Sequence, residues 1–423
     1  MTVELPIDRA TLDNGLRIVL QPDPRLPLVA INLWYHVGSR NERPGRTGFA
    51  HLFEHMLFQG SEHVGTNDHF RHVQQAGGVA NGSTWFDRTN YYETLPAHRL
   101  DLGLWLESDR MGFLLPAMSP EKLETQRQVV MNERRQRVDN QPYGRAFERL
   151  HELLYPSGHP YRWPVIGYME DIAAATLEDV RDFFRTYYVP ANAVLTLVGD
   201  FQPAPALEQV ERFFGPLPGG RQAAAPDGRV GPLAADVRET LPDDVQLARV
   251  YLGFRVPPFG EPGWYAADLL ATALTSGKSS LLYHDLVYRR ELAQDVSAFV
   301  FPTELAATFG VVATARPGVA PAELERALLD RLEESAARPL PDIHLERARN
   351  QTQTTYFEQL QVLDQRADLL SLFTTFFDDP GRIEEEPARY LSLDRSDLQR
   401  CAAGFLRPEQ RATVTVVPRR ASP

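Results

Sequence analysis

The chain opens with the alternation of hydrophobic and polar positions that is typical of strands. Residues 14–22 and 28–37 alternate or run apolar around a glycine and a proline, which predicts two strands joined by a proline-containing turn. A helical pattern follows, in which Thr47 can cap a helix that reaches about residue 58. Gly60 lies where a C-terminal glycine belongs. The first 60 residues therefore predict a strand pair followed by a short helix.

Strands and helices continue to alternate after this helix. Residues 79–92 are rich in Thr, Trp, Phe and Tyr, which favours strands, and residues 100–112 predict an amphipathic helix. Ser119 and Pro120 place a capping residue before a proline at the first helical position, and so open a second long helix. This helix is expected to end near Val138.

The second half of the chain repeats the order of the first half. A Gly-, Pro- and Ala-rich stretch near the middle is the best linker candidate, and strand-like and helix-like segments recur in the same order after it. We therefore infer a tandem duplication and the α+β class, with an antiparallel-rich sheet and helices in each domain. The predicted boundaries are a first domain at 1–216, a linker at 217–239 and a second, homologous domain at 240–423.

Composition narrows the classes of function. A chain of 423 residues with 43% hydrophobic positions is expected to form two or more soluble domains. The net charge of −12 argues against non-specific nucleic-acid binding, which needs basic surfaces. Cys401 is the only cysteine, which excludes an intrachain disulfide and a cysteine-based zinc finger. The N-terminus lacks the features of a signal peptide and no apolar run is long enough for a membrane, so a cytoplasmic location is expected.

Two histidines in the first predicted helix form a candidate metal site. His51 and His55 are four residues apart and therefore lie on one helix face, where both can bind the same ion. Neutral imidazoles suit zinc, and a catalytic zinc takes three protein ligands and leaves one position open for water. Glu54 can reach that water without binding the metal and can act as general base. The pattern His-x-x-Glu-His thus predicts the site of a zinc peptidase.

The alternative to a metal site is a solvent-exposed helix face that carries two histidines by chance. Such a short motif can occur by chance in a chain with 11 histidines. However, the neighbours Phe49, Phe53 and Met56 indicate a helix that is partly buried rather than fully solvated. A second pair, His69 and His72, lies in a polar stretch and is expected on a solvated face.

The segment 48–58, Gly-Phe-Ala-His-Leu-Phe-Glu-His-Met-Leu-Phe, resembles the pitrilysin-like (inverzincin, M16) zinc peptidases. It is most similar to the half-length bacterial members related to the mitochondrial processing peptidase. The resemblance implies a third ligand, a glutamate about 77 residues after the second histidine. Glu133 is 78 residues beyond His55 and lies in a matching Asn-Glu-Arg-Arg context, while Glu121 and Glu124 on the same helix remain competitors.

The same resemblance assigns residues around the metal and the substrate. The family usually has a supporting glutamate seven residues before the third ligand, and Gln126 stands at that position here. Asn81, Gly82 and Ser83 match an edge strand that binds an extended peptide through main-chain bonds. A plain β-hairpin with glycine-rich turns is the alternative for this segment.

The second half lacks the residues that would complete such an active centre. Asp268, Ala271 and Thr272 stand where the first half has its metal-site residues. Val287 and Gln294 stand where active single-chain members of the family have an arginine and a tyrosine that bind the substrate carbonyl. Arg289 or Arg290 could replace the missing arginine.

The resemblance therefore implies a zinc metalloendopeptidase subunit with one Zn²⁺ per chain. We expect it to hydrolyse short or unfolded peptides in an enclosed chamber, with a homologous partner chain that supplies the Arg/Tyr pair. A heterodimer is expected rather than a homodimer, with no nucleic acid and no membrane as partners. The alternative is a non-catalytic scaffold or peptide-binding subunit of a peptidase-like complex, but scaffold members typically lose the motif that His51, Glu54, His55 and Glu133 preserve.

Overall fold

The computed structural model describes residues 4–419, and these form two compact units, each built around one sheet. Unit 1 consists of the chain up to Arg134, Trp163–Pro226 and Phe357–Glu386. Unit 2 consists of Arg135–Arg162, Asp227–Tyr356 and the chain from Pro387 onwards. The predicted two-domain α+β class is confirmed, while the outermost limits of the predicted domains, 1–3 and 420–423, lie outside the described residues.

Unit 1 contains a six-stranded sheet in the order β1-β2-β6-β3-β5-β4. Neighbouring strands are antiparallel except for the parallel pair of β2 and β6. The strands are β1 (Asp8–Thr11), β2 (Arg17–Pro22), β3 (Leu28–Tyr35), β4 (Val79–Thr84), β5 (Thr89–Pro96) and β6 (Ala193–Gly199). Strand β4 forms one edge of the sheet, so its outer backbone groups pair with no other strand among residues 4–419.

Unit 2 contains a five-stranded sheet in the order β7-β11-β8-β10-β9. Its strands are β7 (Val237–Asp243), β8 (Arg249–Val256), β9 (Ala293–Val300), β10 (Ala307–Ala315) and β11 (Ala412–Pro418). The pair of β7 and β11 is parallel and the other pairs are antiparallel. This is the order and direction of β2-β6-β3-β5-β4 in unit 1, as a tandem duplication requires.

The helices follow the chain order between and after these strands. They are α1 (Phe49–Met56), α2 (Asp68–Gln75), α3 (Leu100–Phe113), α4 (Pro120–Arg134), α5 (Ala146–Leu154), α6 (Met169–Ala173), α7 (Leu177–Tyr187), α8 (Pro203–Phe214), α9 (Pro262–Thr275), α10 (Pro321–Ala337), α11 (Asp342–Gln361), α12 (Leu363–Phe377), α13 (Arg382–Ser392) and α14 (Arg395–Phe405). No helix within residues 4–419 combines the length and the apolar composition needed to cross a bilayer.

Each unit includes a helix from the other half of the sequence. Helix α5 packs on β8 and β11 of unit 2, whereas α12 packs on β3 and β6 of unit 1. The contiguous boundaries predicted from the sequence do not include this exchange. Between α8 and β7, residues 216–236 contain no helix or strand, so the last three residues of the predicted linker belong to a strand.

The two faces of the unit 1 sheet differ in chemistry because successive strand residues point to opposite sides. In β3, Ile31 and Leu33 belong to the same hydrophobic core as Phe53 of α1. Asn32 and Trp34 point to the other face, where α12 covers the sheet. Helices α1 and α12 therefore lie on opposite faces of one sheet.

Candidate active site

Helix α1 begins at a glycine whose conformation is forced by its surroundings. Gly48 has φ of 82° and a Cβ at this position would lie 2.6 Å from the carbonyl oxygen of Ile166, so a side chain does not fit. The prediction that Thr47 caps this helix is wrong, since the hydroxyl of Thr47 donates to Asp171 instead. The Glu42 carboxylate accepts the N–H groups of Gly48 and Ala50, at 2.9 and 2.8 Å, and so satisfies the start of the helix.

The structure brings the three predicted metal ligands together. Nε2 of His51 lies 3.7 Å from Oε2 of Glu133, and Nε2 of His55 lies 3.3 Å from the same oxygen. Glu133 is in the last turn of α4, which packs against α1. The competing carboxylates Glu121 and Glu124 lie nearer the start of α4, about 14–18 Å away along the helix axis.

These three side chains fit a zinc ion. With Zn–N and Zn–O bonds near 2.0–2.1 Å, tetrahedral ligand atoms lie about 3.3 Å apart, which is close to the separations from Glu133. Two imidazoles and a carboxylate form a donor set known from catalytic zinc sites. The side chains of His51, His55 and Glu133 keep 12%, 23% and 17% of their exposure, so the group is accessible from solvent.

Glu54 points from α1 toward strand β4. The hydroxyl of Thr84 donates to Oε2 of Glu54 at 2.6 Å and so holds the carboxylate in one orientation. Burial raises the pKa of Glu54, and the hydrogen bond from Thr84 opposes this shift. The role of Thr84 was not predicted from the sequence, although Thr84 lies at the end of a predicted strand that follows the motif.

The predicted substrate residues lie on the edge strand β4, beside α1. A Cβ on Gly82 would lie 3.3 Å from Cγ of Glu54 and 3.2 Å from the Phe58 ring, so a glycine allows the strand to approach the helix closely. Asn81 is exposed and accepts the N–H of Gly82 at 2.9 Å. The hydroxyl of Ser83 points to the other face and donates to Asn90 at 2.7 Å.

Gln126 is buried in α4, two turns before Glu133. Within residues 4–419 its side chain forms no hydrogen bond to His51, His55 or Glu133. The structure thus shows Gln126 on the helix that carries the third predicted ligand, but it does not show the supporting hydrogen bond expected from the resemblance.

Unit 2 has no comparable group of ligands among its described residues. Asp268 is half-buried in α9, where desolvation raises its pKa to about 6 and the hydroxyl of Tyr390 donates to it at 2.9 Å. Val287 is buried in a π-helical segment, Tyr283–Arg289, and Gln294 is an exposed residue of β9.

The two arginines considered as replacements are engaged within unit 2. Arg289 lies 2.5 Å and Arg290 3.9 Å from the carboxylate of Asp285, which also pairs with Arg331. Both arginines therefore take part in an ion-pair network around one buried aspartate.

A second group of potential ligands lies in the interior of unit 1. His69 is buried, so its predicted solvated position is wrong, and its Nε2 lies 3.5 Å from Glu93 and 3.9 Å from Glu107. Arg110 pairs with Glu107, and its guanidinium stacks 4.1 Å from the ring centre of Tyr91. This fixed positive charge disfavours a cation among the three side chains.

Burial controls protonation in this group. It raises the pKa of Glu93 to about 7 and lowers the pKa of His69 to about 3. A proton on Glu93 is therefore the simplest way to neutralise the group.

Comparisons with known proteins give a consistent result. The family model described as Insulinase (Peptidase family M16) matches residues 17–161, and the model described as Peptidase M16 inactive domain matches residues 174–352. The chain is 30% identical to "Zinc protease PqqE" of Helicobacter pylori over 417 residues, which are 97% of this chain and 93% of that protein. It is also 25% identical to "Probable mitochondrial-processing peptidase subunit beta" of Arabidopsis thaliana, over 82% of this chain and 66% of that protein.

Solved structures agree with this similarity. The crystal structure of a protease from Helicobacter pylori superposes with a TM-score of 0.92 at 29% identity, covering 98% of this chain and all (100%) of the other. The similarity therefore extends over both units and over the segment between them.

Proposed function

The chain belongs to the M16 peptidase family, and we propose that it is a zinc-dependent endopeptidase of short or unfolded peptides. The observation that carries this proposal is the convergence of His51, His55 and Glu133 within 4.8 Å, with Glu54 on the same helix as the two histidines. The name "zinc protease" of the Helicobacter pylori relative supports zinc as the metal.

His51, His55 and Glu133 would hold one zinc ion per chain. The bound ion would polarise the peptide carbonyl and lower the pKa of its water to about 7. Glu54 takes the proton from the attacking water and passes it to the nitrogen of the leaving amine. Thr84 keeps the Glu54 carboxylate in position during both transfers, because its hydroxyl donates to Oε2.

The substrate binds as an added strand on the free edge of β4. Main-chain hydrogen bonds from such an edge recognise an extended peptide with little regard to its side chains, which fits a peptidase of unfolded segments. Asn81, Gly82 and Ser83 lie at this edge, and Gly82 is close to Cγ of Glu54. A peptide beside Gly82 would therefore run past the general base.

A homologous partner chain completes the active centre. Val287 and Gln294 offer no cationic or phenolic group at the positions where the family has an arginine and a tyrosine, and Arg289 and Arg290 are engaged with Asp285. The relative from Arabidopsis thaliana is named as a subunit, which supports a two-chain arrangement. We propose a heterodimer that encloses the peptide in a chamber.

Metal content and peptide cleavage test the catalytic proposal together. The wild-type chain should bind one zinc per chain, and Glu54→Gln should keep this zinc while losing about 10²–10⁴-fold in cleavage rate. His55→Gln should lose both zinc and cleavage. Glu124→Gln is the matched control, since it removes an exposed carboxylate from the same helix as Glu133 and should change neither quantity.

The partner proposal needs a second measurement. Cleavage of an unfolded peptide should be slow for the zinc-loaded chain alone and about a hundredfold faster with a homologous chain that carries the Arg/Tyr pair. Full activity of the isolated chain would refute the heterodimer. Tight peptide binding without turnover, with or without the partner, would favour the scaffold alternative instead.

A further inference from the structure

A polar cavity lies on the face of the unit 1 sheet opposite to α1. Its volume is about 330 Å³, and we call it the α12 pocket. The residues that matter for its chemistry are Ser83, Arg88, Asn90, Tyr92, Asp364 and Asp368. The size falls within the range of ligand pockets and is sufficient for one long side chain.

The pocket has a fixed, hydrogen-bonded wall. Oδ1 of Asp368 accepts from Asn32 at 3.2 Å, Trp34 at 2.9 Å and Asn90 at 3.0 Å. Three donors on one oxygen hold this carboxylate in place at the base of α12. The wall is thus preorganised before any ligand arrives.

The positive charge in the pocket is already directed toward β4. Arg88 donates to the carbonyl oxygen of Ser83 at 2.9 Å and to Oδ1 of Asn90 at 3.1 Å, and its guanidinium lies 5.3 Å from the ring centre of Trp34. These contacts tie the guanidinium to the strand backbone, and its charge interacts with Asp368 but not with Asp364.

Asp364 is the carboxylate of the pocket that remains available to pair with a ligand. It lies one helical turn before Asp368 on α12, so both carboxylates share one helix face. Among residues 4–419, Asp364 has no lysine, arginine or histidine within ion-pair distance. Burial raises the pKa of the Tyr92 phenol, and the charges of Asp364 and Asp368 raise it further while Arg88 opposes them.

The geometry of an added strand connects this pocket to the substrate. Residues directly opposite each other on paired strands point to the same face of a sheet. A peptide residue beside Gly82 or Thr84 would point toward Glu54, whereas a residue beside Ser83 would point toward the α12 pocket. The residue that enters the pocket is therefore the immediate sequence neighbour of one that faces the general base.

We propose that the α12 pocket is a specificity subsite that binds a lysine or arginine side chain of the peptide substrate. The inference rests on the proposed function, because it needs the peptide to add to β4. An ammonium or guanidinium group on an extended side chain pairs with Asp364, while a neutral or acidic side chain leaves Asp364 without a counter-charge.

Binding and cleavage together test the subsite. A neutral, unstructured peptide of nine residues is made with one lysine moved through successive positions, and with norleucine as the uncharged analogue of similar length. Dissociation constants are measured by fluorescence anisotropy on the zinc-loaded Glu54→Gln chain, which binds without turnover. Lysine should tighten binding about tenfold at one position and not at the two flanking positions.

Two variants separate the pocket from the overall charge of the protein. Asp364→Asn should abolish the preference for lysine over norleucine and leave the affinity for the norleucine peptide unchanged. Glu208→Gln removes an equal charge from the exposed surface of α8 and should retain the preference. Raising the salt concentration to 0.5 M should weaken the preference in the wild type, since the subsite is half exposed.

Equal dissociation constants for lysine and norleucine peptides, or equal weakening of both by Asp364→Asn, would overturn the subsite. This outcome is distinct from failure of the proposed function, because binding to the Glu54→Gln chain is measured without cleavage. Peptides bound with the lysine preference but never cleaved by the wild type would refute the peptidase and keep the subsite. Absence of any peptide binding would overturn both.

Discussion

Glu93 provides a test of the electrostatics inside unit 1. Its side chain is 1% exposed, and within residues 4–419 neither carboxylate oxygen has a hydrogen-bond partner. Oε2 lies 3.5 Å from Nε2 of His69, while the nearby guanidinium of Arg110 pairs with Glu107. A carboxylate at this buried position has lost its hydration and gained no hydrogen bonds that would compensate for the loss.

The size of the effect follows from the pKa. Burial raises the pKa of Glu93 from 4.5 to about 7. At 1.36 kcal/mol for each pKa unit, ionisation of Glu93 in the folded chain costs about 3 kcal/mol of stability.

The sign of the pH dependence is fixed by which state binds the extra proton. Between pH 4.5 and about 7 the folded chain keeps the Glu93 proton and the unfolded chain loses it. The stabilisation from this proton is complete below pH 4.5 and is lost as the pH rises through about 7. Glu93→Gln retains the shape of the side chain and cannot ionise. We therefore expect the variant to gain stability relative to the wild type as the pH rises, by about 3 kcal/mol between pH 4.5 and pH 8.

Urea denaturation at pH 5, 6, 7 and 8 measures this difference, with the wild type and the variant in the same buffers. Taking the difference at each pH removes the contributions of groups that do not contact Glu93. Glu208→Gln, an exposed surface change, should show no such trend. A difference that stays constant across the range, or that favours the wild type at pH 8, would mean that Glu93 is ionised and held by Arg110.

Two further predictions concern hydrogen bonds that hold charged groups. Thr84→Val removes the donor to Glu54, and cleavage should fall about tenfold to a hundredfold with unchanged zinc content, as measured by peptide hydrolysis and metal analysis. Asp23→Asn removes the ionic partner of Arg366, a guanidinium that is 2% exposed and 2.6 Å from the carboxylate, and should lower stability in urea by about 3–5 kcal/mol. Arg25→Ala, which removes the exposed partner of the same aspartate, should cost less than about 1 kcal/mol, and equal losses in both variants would contradict this reasoning.

Local patterns were sufficient for most of the fold. The apolar run at 28–37 became β3, and the repeated order of segments predicted two sheets that share strand order and direction. The start of the long helix was also correct, since Ser119 accepts the N–H of Lys122 at 3.3 Å. These features depend on residues close together in sequence, where propensity and capping act.

The predictions failed where residues that are distant in sequence determine the local structure. Glu42 caps α1 in place of Thr47 because the chain turns back on itself before the helix. The periodicity of the helix gives no information about this turn. His69 was expected at the surface because its own segment is polar, yet its neighbours Glu93 and Glu107 come from a strand and a helix elsewhere in the chain. A polar stretch shows its own composition and not what packs against it.

The predicted metal ligands depended on both kinds of information. His51 and His55 are fixed by helix periodicity alone, whereas Glu133 depended on the spacing known from similar proteins. The pocket on the α12 face was not foreseen, since amphipathicity predicts that a helix covers a sheet but not which sheet it covers.

The exchange of α5 and α12 has a consequence for how the protein is made. The polar face of the first sheet, with Trp34 buried beneath Asp368, is complete only when residues 357–386 are present. A nascent chain that has emerged as far as the linker therefore lacks one layer of its first unit. It waits for about 150 further residues, which take about 8–30 s to synthesise at about 5–20 residues per second. Unit 1 gains this layer only after α12 has been synthesised, so its folding depends on residues from the second half of the chain.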